Sequence, residues 1–578
     1  MEIVEMSDDK SLMQVQATRA YVKSVLENYW TLATIGYKPI HPLSNFLKNT
    51  NLRLDEQEEK EALRLASSIS ELSILEASYR VGEIYTQRLP KQLRAQHGVY
   101  FTPPALSNRL LDNIEQAGFN WTEGRIVDPA CGGGAFLAPI ALRMKQNLKK
   151  KGFSDLAIVK HISTNLHGKE LDPFSAWMSQ VFLEIALSKE LAESDYELPI
   201  VIEVGDTLIC ESTERYDLVV GNPPYSKIKL NSVTRKKFSR SLYGHANLYG
   251  LFTDKALSML SETGILAYVT PTSFLSGQYF KALRRLLSIE SSPVSVDFID
   301  SRKGVFSGVL QETVLATFSK RKQHNKGVSS TLRVLNDSEV QVEHNGDFTI
   351  NVDCDAPWLI PRSPSHAQLL ADAQENHSTL SQYGYKVSTG PLVWNRHKEQ
   401  IVSKKTKTTL PLLWGECVST CGKFEHKSDK RNHEPWFRIE GDIDNWLVVR
   451  ESCLLLQRTT AKEQSSRLIG AIVPDEFIKA YGGVVIENHL NMVKPISGAD
   501  TIVSVNTLQF ILKSKVVDTL FRMMNGSVAV SAYELEALLL PPLDKAIEIH
   551  RALVDGVGNE IIQTMIRDSY SGRITKAA

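Results

Sequence analysis

Three consecutive glycines after a short apolar stretch constrain the fold of this chain more than any other feature. Arg125-Ile126-Val127-Asp128-Pro129-Ala130-Cys131-Gly132-Gly133-Gly134 reads as a strand that breaks into a glycine turn, and the segment after it has the period of a helix. Leu137, Ile140, Ala141, Met144 and Leu148 share one face, Pro139 is tolerated in the first turn, and Lys149-Lys150-Lys151-Gly152 supplies a basic last turn and a stop. Strand, glycine turn and helix N-terminus together make a nucleotide-type site, because glycine lets the backbone approach a ligand closely. Leu166-His167-Gly168-Lys169-Glu170 reads as the next strand, ending in an acid that can hold both hydroxyls of a ribose. Glu170 lies 36 residues beyond Gly134, further than the spacing of about 20 in dinucleotide enzymes, which argues against NAD.

A further apolar stretch, Tyr216-Asp217-Leu218-Val219-Val220-Gly221, runs into Asn222-Pro223-Pro224-Tyr225, a rigid polar loop at the end of a buried strand. A conjugated amine is a poor nucleophile because its lone pair is delocalised. Two fixed acceptors, the Asn222 side-chain carbonyl and the Pro223 main-chain carbonyl, can each take one amino hydrogen and aim the lone pair. The prolines fix φ and keep the residue before each out of the helical region, so both carbonyls can point one way. Tyr225 offers a ring face. Taken alone, the four residues also fit an ordinary Pro-Pro turn after a strand.

In this order the pieces resemble the gamma class of adenine-N6 DNA methyltransferases, the TaqI-like modification enzymes of restriction-modification systems. The likeness runs from about residue 95 to about 320 and more loosely to the end. It implies an α/β fold: a Rossmann-like class I methyltransferase sheet, an N-terminal helical segment and a C-terminal α+β target-recognition domain. It also implies S-adenosyl-L-methionine as cofactor and double-stranded DNA as partner. Cofactor contacts are implied for Tyr100 and Thr102 in Tyr100-Phe101-Thr102-Pro103-Pro104, for Asp128, Ala130 and Gly132, for Glu170, for Asp206 in Val204-Gly205-Asp206-Thr207, and for Phe252 in Asn247-Leu248-Tyr249-Gly250-Leu251-Phe252. Asn222, Pro223 and Tyr225 are implied as catalytic, and Tyr225 with Phe306 as the rings that stack on a target base flipped from the duplex. Plainer readings stand beside these: Phe252 as a core phenylalanine in a helix, and Asp206 and Glu170 as helix caps or surface acids.

Formal net charge is zero, from 66 basic and 66 acidic side chains, so contact with DNA has to rest on local charge. No acid occurs between Asp217 and Asp254, while Lys227, Lys229, Arg235, Lys236, Lys237 and Arg240 crowd the segment after the loop. The first five are candidates for phosphate contact. No run approaches the ~18 apolar residues of a membrane span, and the acidic start lacks a basic leader, so a cytoplasmic protein is expected. The six cysteines form no disulfide framework, and none follows a proline, which excludes the Pro-Cys nucleophile of cytosine-C5 methyltransferases. Cys417 and Cys421 with His426 and His433 do not have the spacing of a standard zinc finger, and no metal is expected.

Breaks in composition suggest a helical region over 1–94, a catalytic domain over 95–325, a variable, partly stranded connector over 326–365 and a recognition domain over 366–578. Leu65, Ile69, Leu72, Leu75 and Tyr79 give the first region one apolar stripe. Within the last, Gly390 to Lys398, Gln457 to Glu463, Ile486 to Asn491, and Asn525-Gly526-Ser527 with Leu538 to Pro542 resemble segments of related modification enzymes. A monomer is expected, with no stable protein partner required, although a restriction endonuclease of the same system is a candidate partner. Cytosine N4 and the side-chain amide of a glutamine in a release factor pose the same chemical problem and stay open as targets. A noncatalytic DNA-binding subunit is disfavoured by the intact cofactor motif and loop.

Overall fold

The computed structural model describes residues 9–34, 41–47, 53–90, 101–211, 213–300, 312–321, 324–461, 463–524 and 526–571. The chain forms two compact units, Met1–Phe274 with Tyr279–Asp355, and Leu275–Gln278 with Ala356–Ala578.

The first unit is built on a nine-stranded sheet. Its strands are β1 (Ile126–Asp128), β2 (Leu166–Glu170), β3 (Ile202–Val204), β4 (Tyr216–Gly221), β7 (Leu260–Pro271), β8 (Ser292–Ile299), β9 (Thr313–Ser319), β10 (Lys326–Asn336) and β11 (Glu339–Thr349), in the order β11-β10-β8-β9-β7-β4-β1-β2-β3. Two short strands, β5 (Lys227–Ile228) and β6 (Ala246–Asn247), pair apart from it. From β3 to β7 every pair is parallel, and β9 then runs antiparallel to both β7 and β8. The chain winds outward from β1 to β3 and then returns to β4 on the other side of β1. That reversal opens a crevice at the carboxyl ends of β1 and β4, where open parallel sheets bind ligands. Asp128 ends β1, and Asn222 follows β4 directly.

Helices cover both faces. They include α1 (Asp9–Ala33), α2 (Glu56–Ile69), α3 (Ile74–Arg88), α4 (Pro104–Gln116), α5 (Leu137–Lys150), α6 (Asp155–Asn165) and α7 (Pro173–Ala186). One apolar core joins α4, α5 and α6 to β1, β4 and β7 through Leu110, Ile140, Ile158, Ile126, Leu218 and Val269. A second joins α1, α2 and α3 to α7 through Val25, Ala66, Val81 and Trp177. The single stripe expected over residues 65–79 is in fact two helices. Ser73 and Glu76 form a reciprocal capping box that starts α3, and Leu72 in the break is 42% exposed.

The first unit also extends past the expected catalytic boundary near 325, to Asp355. The β10–β11 hairpin, inside the stretch read as a connector, extends the sheet by parallel pairing with β8, and the Asp337 carbonyl at its turn accepts from the Ala105 N–H of α4. The second unit is α+β. A four-stranded sheet and a five-stranded sheet lie with helices whose core includes Tyr383, Leu508, Phe521, Ile549 and Ile562. Among the described residues, no helix is long and apolar enough to cross a membrane.

Candidate active site

Asn222 is pinned on both ends of its amide. Its Nδ2 donates to Thr102 Oγ1 at 3.1 Å, and its Oδ1 accepts from the Tyr225 hydroxyl at 2.6 Å. That hydroxyl also lies 3.3 Å from the Val269 carbonyl at the end of β7. Burial pushes the Tyr225 phenol far up, so it remains a donor. An amide oxygen has two lone pairs, and the second on Oδ1 is left for a substrate amine. The main-chain carbonyl of Tyr225 accepts from Asn247 Nδ2 at 3.0 Å, and the β5–β6 pairing closes the far side of the loop. Gly221 precedes the loop for steric reasons, since a β-carbon there would stand 2.5 Å from the Asp128 carboxylate.

The glycine turn faces two acids, one buried and one half-buried. Asp128 is 1% exposed, its Oδ1 accepts from the Ala130 N–H at 3.0 Å, and burial holds its carboxyl up at about 8. Glu170 accepts from the N–H groups of Gly132 and Asp172, each at 2.9 Å, and burial raises it to about 7. Glu170 keeps part of its surface open, so Asp128 is the more firmly shifted of the two. Gly132 has a φ of 53°, and a β-carbon on it would point into open space. Neither acid has an ion-pair partner among the described residues. Two uncompensated acids beside an open glycine turn suit a ligand that brings positive charge and hydroxyl donors, as S-adenosylmethionine does.

Asp206 is half-buried and accepts from the Leu208 N–H at 3.0 Å, while Thr207 donates to the Pro129 carbonyl at 2.6 Å and ties this loop to the glycine turn. Phe252 is 8% exposed in the helix Leu248–Met259. Tyr100 and Phe306 lie outside the described residues. The expected residues missed three partners of the loop: the Asn247 amide, the Val269 carbonyl and the close approach at Gly221. Asn247 was within a motif already noted, but only for its phenylalanine.

The basic segment divides in two. Lys227, Lys229, Lys236 and Lys237 are exposed and have no ion-pair partner among the described residues; Arg235 is exposed too, and donates to the Gly244 carbonyl at 2.5 Å. Arg240 instead pairs with Asp254 and Glu290, each at 2.6 Å, and is part of the framework.

In the second unit the noted segments are joined to one another by backbone hydrogen bonds. Gly390 N–H reaches the Leu490 carbonyl at 2.8 Å, Asn488 N–H the Leu392 carbonyl at 2.9 Å, Arg458 N–H the His489 carbonyl at 2.9 Å, and Thr460 N–H the Val528 carbonyl at 3.0 Å. Arg467, 1% exposed, braces them from beneath by donating to Thr460 Oγ1 and the Ser527 carbonyl. Asn395, Arg396, Lys398, Thr459, His489 and Ser527 are exposed along these segments. His426 and His433 go elsewhere: His426 reaches the Pro435 carbonyl, and His433 stacks on Trp414 at 3.9 Å and bonds Glu416. Among the described residues no cluster could hold a metal ion.

Residues 68–306 match the model of the Eco57I restriction-modification methylase family. The type II methyltransferase M.PstI of Providencia stuartii is 25% identical over 517 residues, covering 86% of this chain and 98% of its own. M.BsuBI of Bacillus subtilis is 23% identical over 486 residues, covering 81% and 92%. The type IIL restriction-modification enzyme MmeI, solved in complex with DNA, shares the fold with a TM-score of 0.51 and 14% identity over 98% of this chain and 93% of that one.

Proposed function

We propose that this chain is a restriction-modification methylase of the kind its match to the Eco57I family model suggests, and that it methylates adenine N6 in double-stranded DNA. The methyl donor is S-adenosyl-L-methionine, and the physiological role is that of a modification enzyme acting as a monomer in the cytoplasm. The observation that carries the reading is the doubly held Asn222, with one lone pair of Oδ1 left over at the end of β4.

When bound, S-adenosylmethionine supplies an electrophilic methyl group. Glu170 would accept from its ribose hydroxyls, Asp206 from its adenine amino group, and Asp128 with the glycine turn would hold the amino-acid end. Asn222 Oδ1 and the Pro223 carbonyl would each accept one hydrogen bond from the target amine, which frees its lone pair from the ring and fixes its direction. The amine cannot reach that position inside a duplex, so the base must be flipped out at a cost of a few kcal/mol, offset in part by stacking on Tyr225 and Phe306. Lys227, Lys229, Lys236 and Lys237 meet phosphates near the flipped nucleotide. The exposed side chains along the joined segments of the second unit contact the DNA target.

Cytosine N4 methylation rests on the same loop chemistry and is the second reading. Digesting DNA modified by the protein to nucleosides separates the two: N6-methyladenine supports the first reading, and N4-methylcytosine replaces it. A glutamine-amide target is tested in parallel by offering DNA and a release factor in one assay. Methyl transfer to the protein alone would refute the DNA reading.

A further inference from the structure

The N-terminal helices reach the cofactor pocket at two points. In α3, a β-carbon on Gly82 would stand 2.0 Å from the ring of Phe101, and a β-carbon on Gly133 of the glycine turn would stand 2.5 Å from the same ring. The Phe101 ring is therefore in close contact with both α3 and the turn. The next residue is Thr102, whose hydroxyl holds Asn222.

The second point is Asp172. Arg19 of α1 donates to its Oδ1 at 2.7 Å, and the Tyr85 hydroxyl of α3 donates to its Oδ2 at 3.1 Å. Tyr85 also stacks on Phe174 with ring centroids 5.3 Å apart, and the Arg19 guanidinium lies 5.7 Å from the same ring. Asp172 caps α7 through the N–H and hydroxyl of Ser175, so that helix start is served without Arg19 or Tyr85. Its own N–H holds Glu170 Oε1 at 2.9 Å. Apolar burial between these helices and α7 already accounts for docking, through residues such as Val25, Val81 and Trp177. Two donors aimed at one carboxylate add direction rather than area.

We infer that α1 and α3 are a positioning device for the cofactor pocket, with Arg19 and Tyr85 placing Glu170 through Asp172, and Gly82 placing the glycine turn and Thr102 through Phe101. The inference rests on S-adenosylmethionine occupying that pocket. Arg19, Gly82 and Tyr85 are thus positioning residues, which touch neither cofactor nor target.

The test uses the full chain and three readouts: S-adenosylmethionine Kd by calorimetry, turnover at saturating cofactor, and the thermal midpoint of the apoprotein. Tyr85→Phe keeps the ring and removes the hydrogen bond. It should raise Kd by about fivefold to tenfold, and lower saturated turnover by less than that. Gly82→Ala should raise Kd as well, and adding Phe101→Ala should recover part of the loss, because it removes the γ- and δ-carbons that the new methyl would meet. A merely structural role would lower the midpoint without this split or this rescue. Unchanged Kd in Tyr85→Phe and Gly82→Ala would overturn the inference while leaving the proposed function standing. Failure of the wild-type chain to bind S-adenosylmethionine would instead overturn the proposed function and, with it, the inference.

Discussion

The buried acid at the end of β1 makes the stability of the apoprotein depend on pH in an unusual direction. Asp128 is 1% exposed, with its carboxyl held up at about 8, chiefly by burial and further by the charge of Glu170. In the unfolded chain it ionises near its ordinary value of 3.8. Because the folded value is the higher one, this stabilisation is complete below about pH 4, is lost as pH rises toward about 8, and changes little beyond. Between pH 6 and pH 8 the folded chain still largely holds the proton that the unfolded chain has released, which lowers stability by up to about 2 kcal/mol. Glu170 acts in the same direction over a window ending near pH 7, with less weight because it is partly open to solvent. For a unit of this size, the thermal midpoint should fall by roughly 3 °C over that interval.

The control is Asp128→Asn. It keeps an acceptor for the Ala130 N–H but has no carboxyl to ionise, so its midpoint should vary less between pH 6 and pH 8 than that of the wild type. Thermal denaturation of both apoproteins across pH 5 to 9 makes the comparison. Equal slopes, or a wild type that gains stability over the interval, would refute the account of Asp128. Cofactor should reverse the trend, since a cationic ligand favours the ionised acids. Affinity for S-adenosylmethionine should therefore rise with pH through 7 to 8, with proton release visible as a buffer-dependent heat of binding.

Asn222→Ala removes one of two acceptors for the target amine and should cut turnover by on the order of 100 to 1,000-fold while cofactor and DNA affinity stay within a few fold, as single-turnover and binding assays would show. Tyr225→Phe keeps the ring but frees Oδ1, so it should lower the rate by less than Asn222→Ala; an equal loss would mean that the hydroxyl does more than orient the amide. Phe306→Ala should harm methylation of paired targets more than of mismatched ones, because a mismatch already lowers the cost of flipping, and equal losses would remove the stacking role. Replacing Lys236 and Lys237 with alanine should reduce the slope of log affinity against log salt by about 2, measured by DNA titration at several salt concentrations, and an unchanged slope would take both lysines off the phosphates.

The parts of this site that follow from contiguous sequence were readable, and those assembled by tertiary contact were not. β2 and β4 fall on the residues expected, and α5 begins at Leu137 as its periodicity suggests, because an alternation or a helical face ends there in glycine, acid or proline. Strand content in the connector was legible, but not that the β10–β11 hairpin extends the sheet, because many residues of β11, at the sheet edge, are exposed and carry no buried alternation. Arg240 looked like its basic neighbours until Asp254, at the very end of the acid-free stretch, and the distant Glu290 were found to hold it.

The contrast between the two units has a physical source. A conjugated amine needs two fixed acceptors, and one rigid loop can supply both, so that requirement is written into four adjacent residues. The segments of the second unit are instead gathered largely by main-chain N–H and C=O groups, which every non-proline residue possesses and which select no side chain, with the Arg467 guanidinium beneath them. Only close approach leaves a trace there. A β-carbon on Gly390 would stand 2.3 Å from the Glu487 carbonyl oxygen, so glycine is required at that position whatever the exposed side chains nearby contact. The exposed Asn395 and Arg396 face no such restriction from close approach, whereas the His489 ring lies 2.7 Å from the carboxylate of buried Glu487. On the proposed function, Asn395 and Arg396 are therefore free to differ between proteins that read different DNA sequences while the backbone that presents them stays the same.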